Sequence, residues 1–342
     1  MKNEFKNKRI LVTGGTGSIG SMIVKNLLPY KPKQVRVFSR DETKQFELSH
    51  ALGAGARVNF LIGDIRDKER LNMAMENIDI VFHAAALKHV DACEKNPFEA
   101  VKTNVQGTQN VIDCAFANNV DKVIGISTDK ATDPTSVMGC TKLLAEKIML
   151  ASYFYKGTKQ TKFCFVRFGN VLGSRGSVVP LFLNQIQRGG PITVTDPNMT
   201  RFFMTISDAV DLVFKAAALM WDREIFILKM PAVKMKDFAK ALLELHQEKA
   251  PGGKAMGIKI IGKRNGERMH EKLLTVEEAE YSLETKDMFI IVPQEVLALQ
   301  KNQATYFGAK KAVVKEYNSK DQKKLTSQEI KKMLQRMRME NA

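Results

Sequence analysis

The chain has 342 residues, 44% of them apolar and 26% charged, and its 53 Lys+Arg against 37 Asp+Glu give a formal net charge of +16. These proportions exclude wholesale disorder, and the length exceeds the roughly 100–200 residues of one ordinary domain. The longest apolar stretch, Leu212–Trp221, is interrupted by Lys215, far short of the ~18 apolar residues of a membrane span.

In chain order, Arg9–Thr13 reads as a strand, Gly14-Gly15-Thr16-Gly17-Ser18-Ile19-Gly20 as a glycine turn, and Ser21–Leu28 as an amphipathic helix. Pro29 and Pro32 end that helix before a second strand, Val35–Phe38. Strand, glycine turn, helix and strand within about 30 residues is the setting in which Gly14, Gly17 and Gly20 acquire meaning. They supply the tight turn, the backbone approach for a pyrophosphate and the close helix–strand packing of a dinucleotide site, with Thr16, Ser18 and Ile19 between them. After the second strand come Ser39, Arg40, Asp41 and Lys44. Arg40 favours a cofactor with a 2′-phosphate, hence NADP, while Asp41 keeps NAD open.

The alternation continues with strands Arg57–Ile62 and Asp79–His83, a long helix from Pro97 to Asn118, a strand Lys122–Ser127, a helix Ser136–Tyr155 and a strand Phe163–Phe168. It predicts an α/β fold, a doubly wound parallel sheet followed by a smaller substrate-binding region. The expected boundaries are 1–170 for the dinucleotide-binding domain, 171–295 for the substrate region, partly interleaved with the sheet, and 296–342 for a basic extension. Asp64 and Ile65 lie at the end of the third strand, and Asp64 is placed to accept from an adenine amino group. Ala84-Ala85-Ala86 ends the fourth, where absent side chains let a cofactor approach, and Lys88 follows.

The four cysteines, Cys93, Cys114, Cys140 and Cys164, have no CxxC spacing and read as free core thiols. With no signal-peptide pattern before the first strand, a cytoplasmic protein is expected. No metal site is read from the sequence. The net charge raises nucleic acid, anionic membrane and phosphate-rich small molecules as partners. The aromatic residues are not interleaved with the basic runs, and no nucleic-acid motif is visible. Between Lys301 and Ala342 stand eleven Lys+Arg and four Asp+Glu, so much of the excess lies beyond the chemistry-bearing residues. Neither a nucleic-acid nor a membrane partner is expected. A final helix begins at Thr326, which forms a capping box with Glu329 and would cover another element or subunit.

The glycine triplet, the Ala84–Ala86 turn, Asn104 in TNVQGT and Lys142 in the helix after the fifth strand together resemble the extended short-chain dehydrogenase/reductases. SRDE at Ser39–Glu42, HAAALKHV at His83–Val90, STDKA at Ser127–Ala131, RFGNVLGSRGSV at Arg167–Val178, MTRF at Met199–Phe202 and Gly262–Glu271 resemble, more narrowly, the inverting UDP-N-acetylglucosamine 4,6-dehydratases of flagellin-glycan and capsule synthesis. The superfamily's tyrosine, four residues before the lysine, is replaced by Met138, as in the capsule branch, where Thr or Ser, Met and Lys form the triad.

The resemblance implies Lys142 on the nicotinamide ribose, Thr128 at the C4 oxygen, Lys130 as the base at C5 and Asp129 as the acid at the C6 oxygen. For Lys130 to serve as a base, the site must desolvate it below its ordinary pKa of about 10.4. The resemblance implies Asn170, Ser174, Arg175, Ser177, Val178 and Pro180 facing a UDP-sugar, with Thr195 and Met199 nearby. Arg201 and Arg264 would take the diphosphate and Glu267 the ribose hydroxyls. It further implies a homo-oligomer, joined through the two long helices, and a product for pseudaminic acid or capsule sugar synthesis. A redox-sensing dinucleotide-binding module is the non-enzymatic alternative.

Overall fold

Strands buried on both faces need continuous apolar runs, and RILVT, IVFH and KFCFVR are such runs. The computed structural model describes residues 4–53, 55–249, 256–264, 266–295, 306 and 308–341. In it, β1 (Arg9–Thr13), β2 (Gln34–Ser39), β3 (Val58–Ile62), β4 (Ile80–His83), β5 (Lys122–Ile126) and β6 (Lys162–Arg167) form one sheet in the order β3-β2-β1-β4-β5-β6. All are parallel, and Glu224–Leu228 adds a seventh parallel strand beside β6. Three antiparallel strands, Met288–Ile291, Ser282–Glu284 and Lys310–Lys311, extend that edge. The order reverses between β1 and β4, and the crevice at such a switch point is where ligands of open parallel sheets bind.

The first helix, α1 (Ser18–Leu27), follows the glycine turn. Gly14 adopts φ +64°, and a Cβ there would stand 2.7 Å from the backbone of Ala85. A Cβ on Gly20 would lie 2.3 Å from the carbonyl oxygen of Gly14. Only glycine lets the turn touch both the loop after β4 and its own helix. The long segment expected as one helix from Pro97 to Asn118 is helical but interrupted. Pro97–Ala100 and Gly107–Ala117 are α-helical, and Val101–Gln106 between them is a π turn.

A second core lies beside the sheet. It gathers Leu172, Phe182, Ile192, Phe203, Phe238 and Leu242, contributed by the segments between Asn170 and Lys249. The last helix, Ser327–Asn341, seats Ile330, Leu334 and Met337 in this core and packs on the helix Met235–Lys249. Thr326 and Glu329 exchange the expected capping-box bonds, at 2.8 and 3.3 Å. The start of the basic extension expected from residue 296 lies outside the described residues, which omit 296–305 and 307. Three cysteines are buried, but Cys140 is exposed, because Met138, Thr141, Lys142, Ala145 and Met149 occupy the inner face of its helix. Among the described residues no helix is long and apolar enough to cross a membrane.

Candidate active site

Two chambers open along the carboxyl ends of the strands. The larger, about 770 Å³, runs from the glycine turn past Ala84–Ala86 to Thr128, Lys130, Met138 and Lys142. The smaller, about 390 Å³, lies between Lys88, Lys130, Asn170, Thr195, Met199, Arg201, Arg264, Glu267 and Glu271. They meet at Lys88, His89, Lys130, Asn170, Gly176, Ser177 and Val178.

His83, buried at the end of β4, lines neither chamber. Thr108 donates its hydroxyl to the carbonyl of Asn104, so it accepts from His83 Nε2–H, and His83 Nδ1 in turn accepts from the Thr13 hydroxyl at 2.8 Å. Burial, with Lys142 nearby, pushes the imidazole pKa down to about 3, so the ring is neutral. Asn104 does not line either chamber. Its amide exchanges bonds with the backbone of Leu87 and donates to Thr141, tying the loop after β4 to the helix Val137–Ala151.

Gly14, Thr16, Gly17, Ser18 and Ile19 line the larger chamber, with Ser39, Arg40, Asp41, Lys44, Asp64 and Ile65 at its far end. Asp41 caps the helix Glu42–Leu52, accepting from both the backbone and the ammonium of Lys44. Arg40 is half exposed, with one 3.4 Å contact to Asp64. Asp64 accepts three bonds from Arg66, so its carboxylate is occupied rather than turned to an adenine amino group. At the N-terminus of α1 no side chain caps the free N–H groups, and the Gly14–Ala85 approach leaves backbone where a side chain would stand. This cradle fits a dinucleotide pyrophosphate.

After β5, Ser136 caps the helix Val137–Ala151 by accepting from the N–H of Gly139. Met138 and Lys142, one turn apart, both face the larger chamber. Met138 is packed by Cys93 and Ala100. Lys142 donates to the carbonyl of Ile126 at 2.7 Å, and burial, partly opposed by Glu146, pushes its pKa down to about 8. Beneath it Glu146 accepts from Ser127 and from Arg167, which is also bound by Glu278. The pair Glu146–Arg167 is fully enclosed and fixes the ends of β5 and β6.

Asp129 and Lys130 form a short turn held by the bond from Asp129 N–H to the Phe168 carbonyl. Asp129 is fully buried and lines neither chamber. Its Oδ1 accepts from Thr128 at 2.8 Å and from Lys130 at 3.0 Å, while Oδ2 has no partner among the described residues. Lys130 faces both chambers, and its Nζ also stands 3.7 Å from Glu271. Burial alone would lower its pKa, but Asp129 and Glu271 outweigh it and the ammonium is stabilised. This reverses the expected direction, because the sequence shows the neighbouring Asp129 but not Glu271, 141 positions away.

The substrate-side residues divide. Asn170, Ser177 and Val178 lie where the chambers meet, and Thr195, Met199, Arg264 and Glu267 line the smaller one. Ser174 and Arg175 line only the larger. Arg175 donates to the Thr16 carbonyl, and its N–H to the Ser18 hydroxyl, which places it on the glycine turn rather than beside the smaller chamber. Pro180 lines neither, being exposed in the first turn of the helix Val178–Gln187. Arg201 is buried, and its terminal nitrogens donate to the carbonyls of Thr200, Met269 and Arg268. It therefore fastens the segment around residue 269 and has no open fork for a diphosphate. Glu267 accepts from Thr195, and Arg264 reaches Asp91 at 3.6 Å. Lys88 faces both chambers, its pKa lowered by burial and by Arg175.

A family of polysaccharide biosynthesis proteins matches residues 10–293. The chain belongs to that family. It is 52% identical to an uncharacterized membrane protein of Methanocaldococcus jannaschii over 98% of this chain and 97% of the other. It is 44% identical to a UDP-N-acetylglucosamine 4,6-dehydratase (inverting) of Campylobacter jejuni, over 87% and 86%. A UDP-glucose 4-epimerase of Rickettsia rickettsii is 41% identical over 96% of both chains. Among solved structures, Pen from Bacillus thuringiensis superposes with a TM-score of 0.91 at 43% identity, covering 98% and 99% of the two chains. DesIV, a dTDP-glucose 4,6-dehydratase of Streptomyces venezuelae solved with NAD and TYD, gives 0.68 at 25%, covering 76% and 86%. The fold of this family member is that of the extended short-chain dehydrogenase/reductases.

Proposed function

We propose that this protein is a UDP-N-acetylglucosamine 4,6-dehydratase that inverts C5, a hydro-lyase giving UDP-2-acetamido-2,6-dideoxy-β-L-arabino-hexos-4-ulose. One observation carries the reading: Lys130, backed by Asp129, stands where the two chambers meet, so a reactive group faces both the cofactor and the sugar. The similarity to the Campylobacter jejuni dehydratase over most of the chain supports it.

In the larger chamber Gly14, Gly17 and the N-terminus of α1 would hold the pyrophosphate, Arg175 would cover it, and Lys142 would hold the nicotinamide ribose. Arg40 favours NADP, because the carboxylate that could take a ribose 2′-hydroxyl, Asp41, is occupied by Lys44. The dinucleotide, when bound, supplies reversible hydride acceptance, making C4 a ketone and later reducing C6.

The protein moves the protons. Thr128 faces the larger chamber and donates to Asp129, so it can take the C4 hydroxyl proton while passing its own inward, standing in for the tyrosine that removes that proton elsewhere in the superfamily. Asp129 thus acts from behind the wall, and the same hydroxyl returns its proton to the departing C6 oxygen. Next to the ketone the C5 proton is acidified, and Lys130 removes it as a neutral amine. Reprotonation from the opposite face inverts C5. Lys88, Asn170, Ser177, Val178, Met199, Thr195, Arg264 and Glu267 would line the UDP-sugar. The exposed Phe98 and Leu144 on the two long helices support self-association through them.

A second reading, a UDP-sugar epimerase or an enzyme performing part of the cycle, is favoured by the Rickettsia relatives and by Met138. Incubation with UDP-N-acetylglucosamine in D₂O separates the readings. The dehydratase releases water and fixes deuterium at C5, an epimerase releases no water, and a partial cycle leaves a 5,6-alkene. Asp129→Asn and Lys130→Ala should lower dehydration at least 100-fold with cofactor retained. Near-normal turnover of either variant contradicts the assignment.

A further inference from the structure

Lys130 poses a problem of proton supply. A base must present a lone pair, yet here the amine is held as an ammonium between two carboxylates. The two carboxylates are not equivalent. Asp129 receives two hydrogen bonds on Oδ1, whereas the Glu271 carboxylate receives none among the described residues. Among the described residues Glu271 has two long ion pairs through Oε1, to Lys130 at 3.7 Å and Arg201 at 3.5 Å, and its buried Oε2 has no partner. The residue is 3% exposed and lies in the wall of the sugar chamber.

Its backbone is held on both sides. Glu271 N–H donates to the Ser319 hydroxyl at 2.9 Å, and Ser319 N–H donates to the Glu271 carbonyl at 2.8 Å. Ser319 is fully buried, and its hydroxyl also contacts Thr200, the residue before Arg201.

We infer that Glu271 is the positioning residue that primes Lys130, taking one proton from its ammonium when the sugar nucleotide closes the chamber, and that Ser319 of the C-terminal segment holds it in place. The inference rests on the dehydratase reading. The transfer breaks one N–H bond of Lys130 and forms one O–H bond on Glu271, leaving the net charge of the pair at zero. Asp129 and Arg201 oppose this transfer while both are charged, and it becomes easier once Asp129 has taken the C4 hydroxyl proton through Thr128 and no longer holds the ammonium. Lys130 then takes the C5 proton, and the proton on Glu271 passes to solvent, balancing the one that solvent delivers to C5.

The test is Glu271→Gln, which keeps the shape and removes the charge. Turnover should fall at least 30-fold with KM within threefold, and Glu271→Asp should recover part of the loss. Independently of turnover, the ¹³Cε resonance of Lys130, assigned through Lys130→Arg in lysine-labelled protein, should titrate at lower pH in the Gln variant. Turnover within threefold of wild type, or an unmoved Lys130 midpoint, overturns the inference. If the wild-type protein leaves UDP-N-acetylglucosamine unchanged, the dehydratase reading fails, and the titration still decides whether Glu271 controls the Lys130 proton.

Discussion

Lys142 shows how a site residue can weaken the fold it serves. Its pKa of about 8 lies below the ordinary 10.5, so between these values the unfolded chain holds a proton that the folded chain has released. The penalty for the buried ammonium is therefore full below about pH 8 and is relieved as pH rises toward 10.5. Lys142→Met should stabilise the cofactor-free protein at pH 7 by about 1–3 kcal/mol, after allowing for the lost bond to the Ile126 carbonyl, and by less at pH 10. Urea unfolding at the two pH values checks this, and an equal gain at both would contradict it. Turnover should drop in the same variant. At this scale sequence reading reached Lys142 and Lys130 because each stands in a local motif. Glu271 and His83 also stand in the motifs but receive no role there, because their importance comes from partners 141 and 70 positions away and from burial that the local sequence does not show.

The elements that carry the site are strand ends and the turns after them. Their order was readable because each strand is a short apolar run closed by glycine, alanine or a capping residue, and the helices between keep one apolar face. The π turn at Val101–Gln106 was not readable, since its residues suit an α-helix equally well and the tertiary bonds of Asn104 to Leu87 and Thr141 accompany the change. The turn after β2 yields a sharper expectation. Asp41 commits its carboxylate to the helix it caps, so on the proposed reading Arg40 would be the side chain that meets the adenosine ribose. Arg40→Ala should weaken NADP binding at least tenfold and leave NAD within threefold, measured by nucleotide fluorescence titration. Tighter binding of NAD than of NADP by the wild-type protein would reverse the preference.

At the scale of the whole molecule, the basic C-terminal segment reads in the sequence as an appendage, with charge and little periodicity. The structure sets it into both cores. Tyr306 bonds the buried Glu224, Tyr317 stacks on Phe202, and Ile330, Leu334 and Met337 fill the second core. Among the described residues its lysines lie at the surface, Lys331 paired with Glu244 and Glu248, so its charge hides what its sparse apolar residues do. Ser319→Ala should cost about 1–3 kcal/mol by leaving the Glu271 N–H without its acceptor. It should lower kcat more than it raises KM for the sugar nucleotide, and a loss confined to stability would separate the segment from turnover.

The junction of the two chambers has a kinetic meaning. On the proposed reading the cofactor ends each cycle as it began and has no reason to leave, and its nicotinamide end would lie beside the junction with the smaller chamber. On the proposed reading the enzyme obeys a one-substrate rate law, with added dinucleotide acting as a saturable activator of empty protein and never as a consumed reagent.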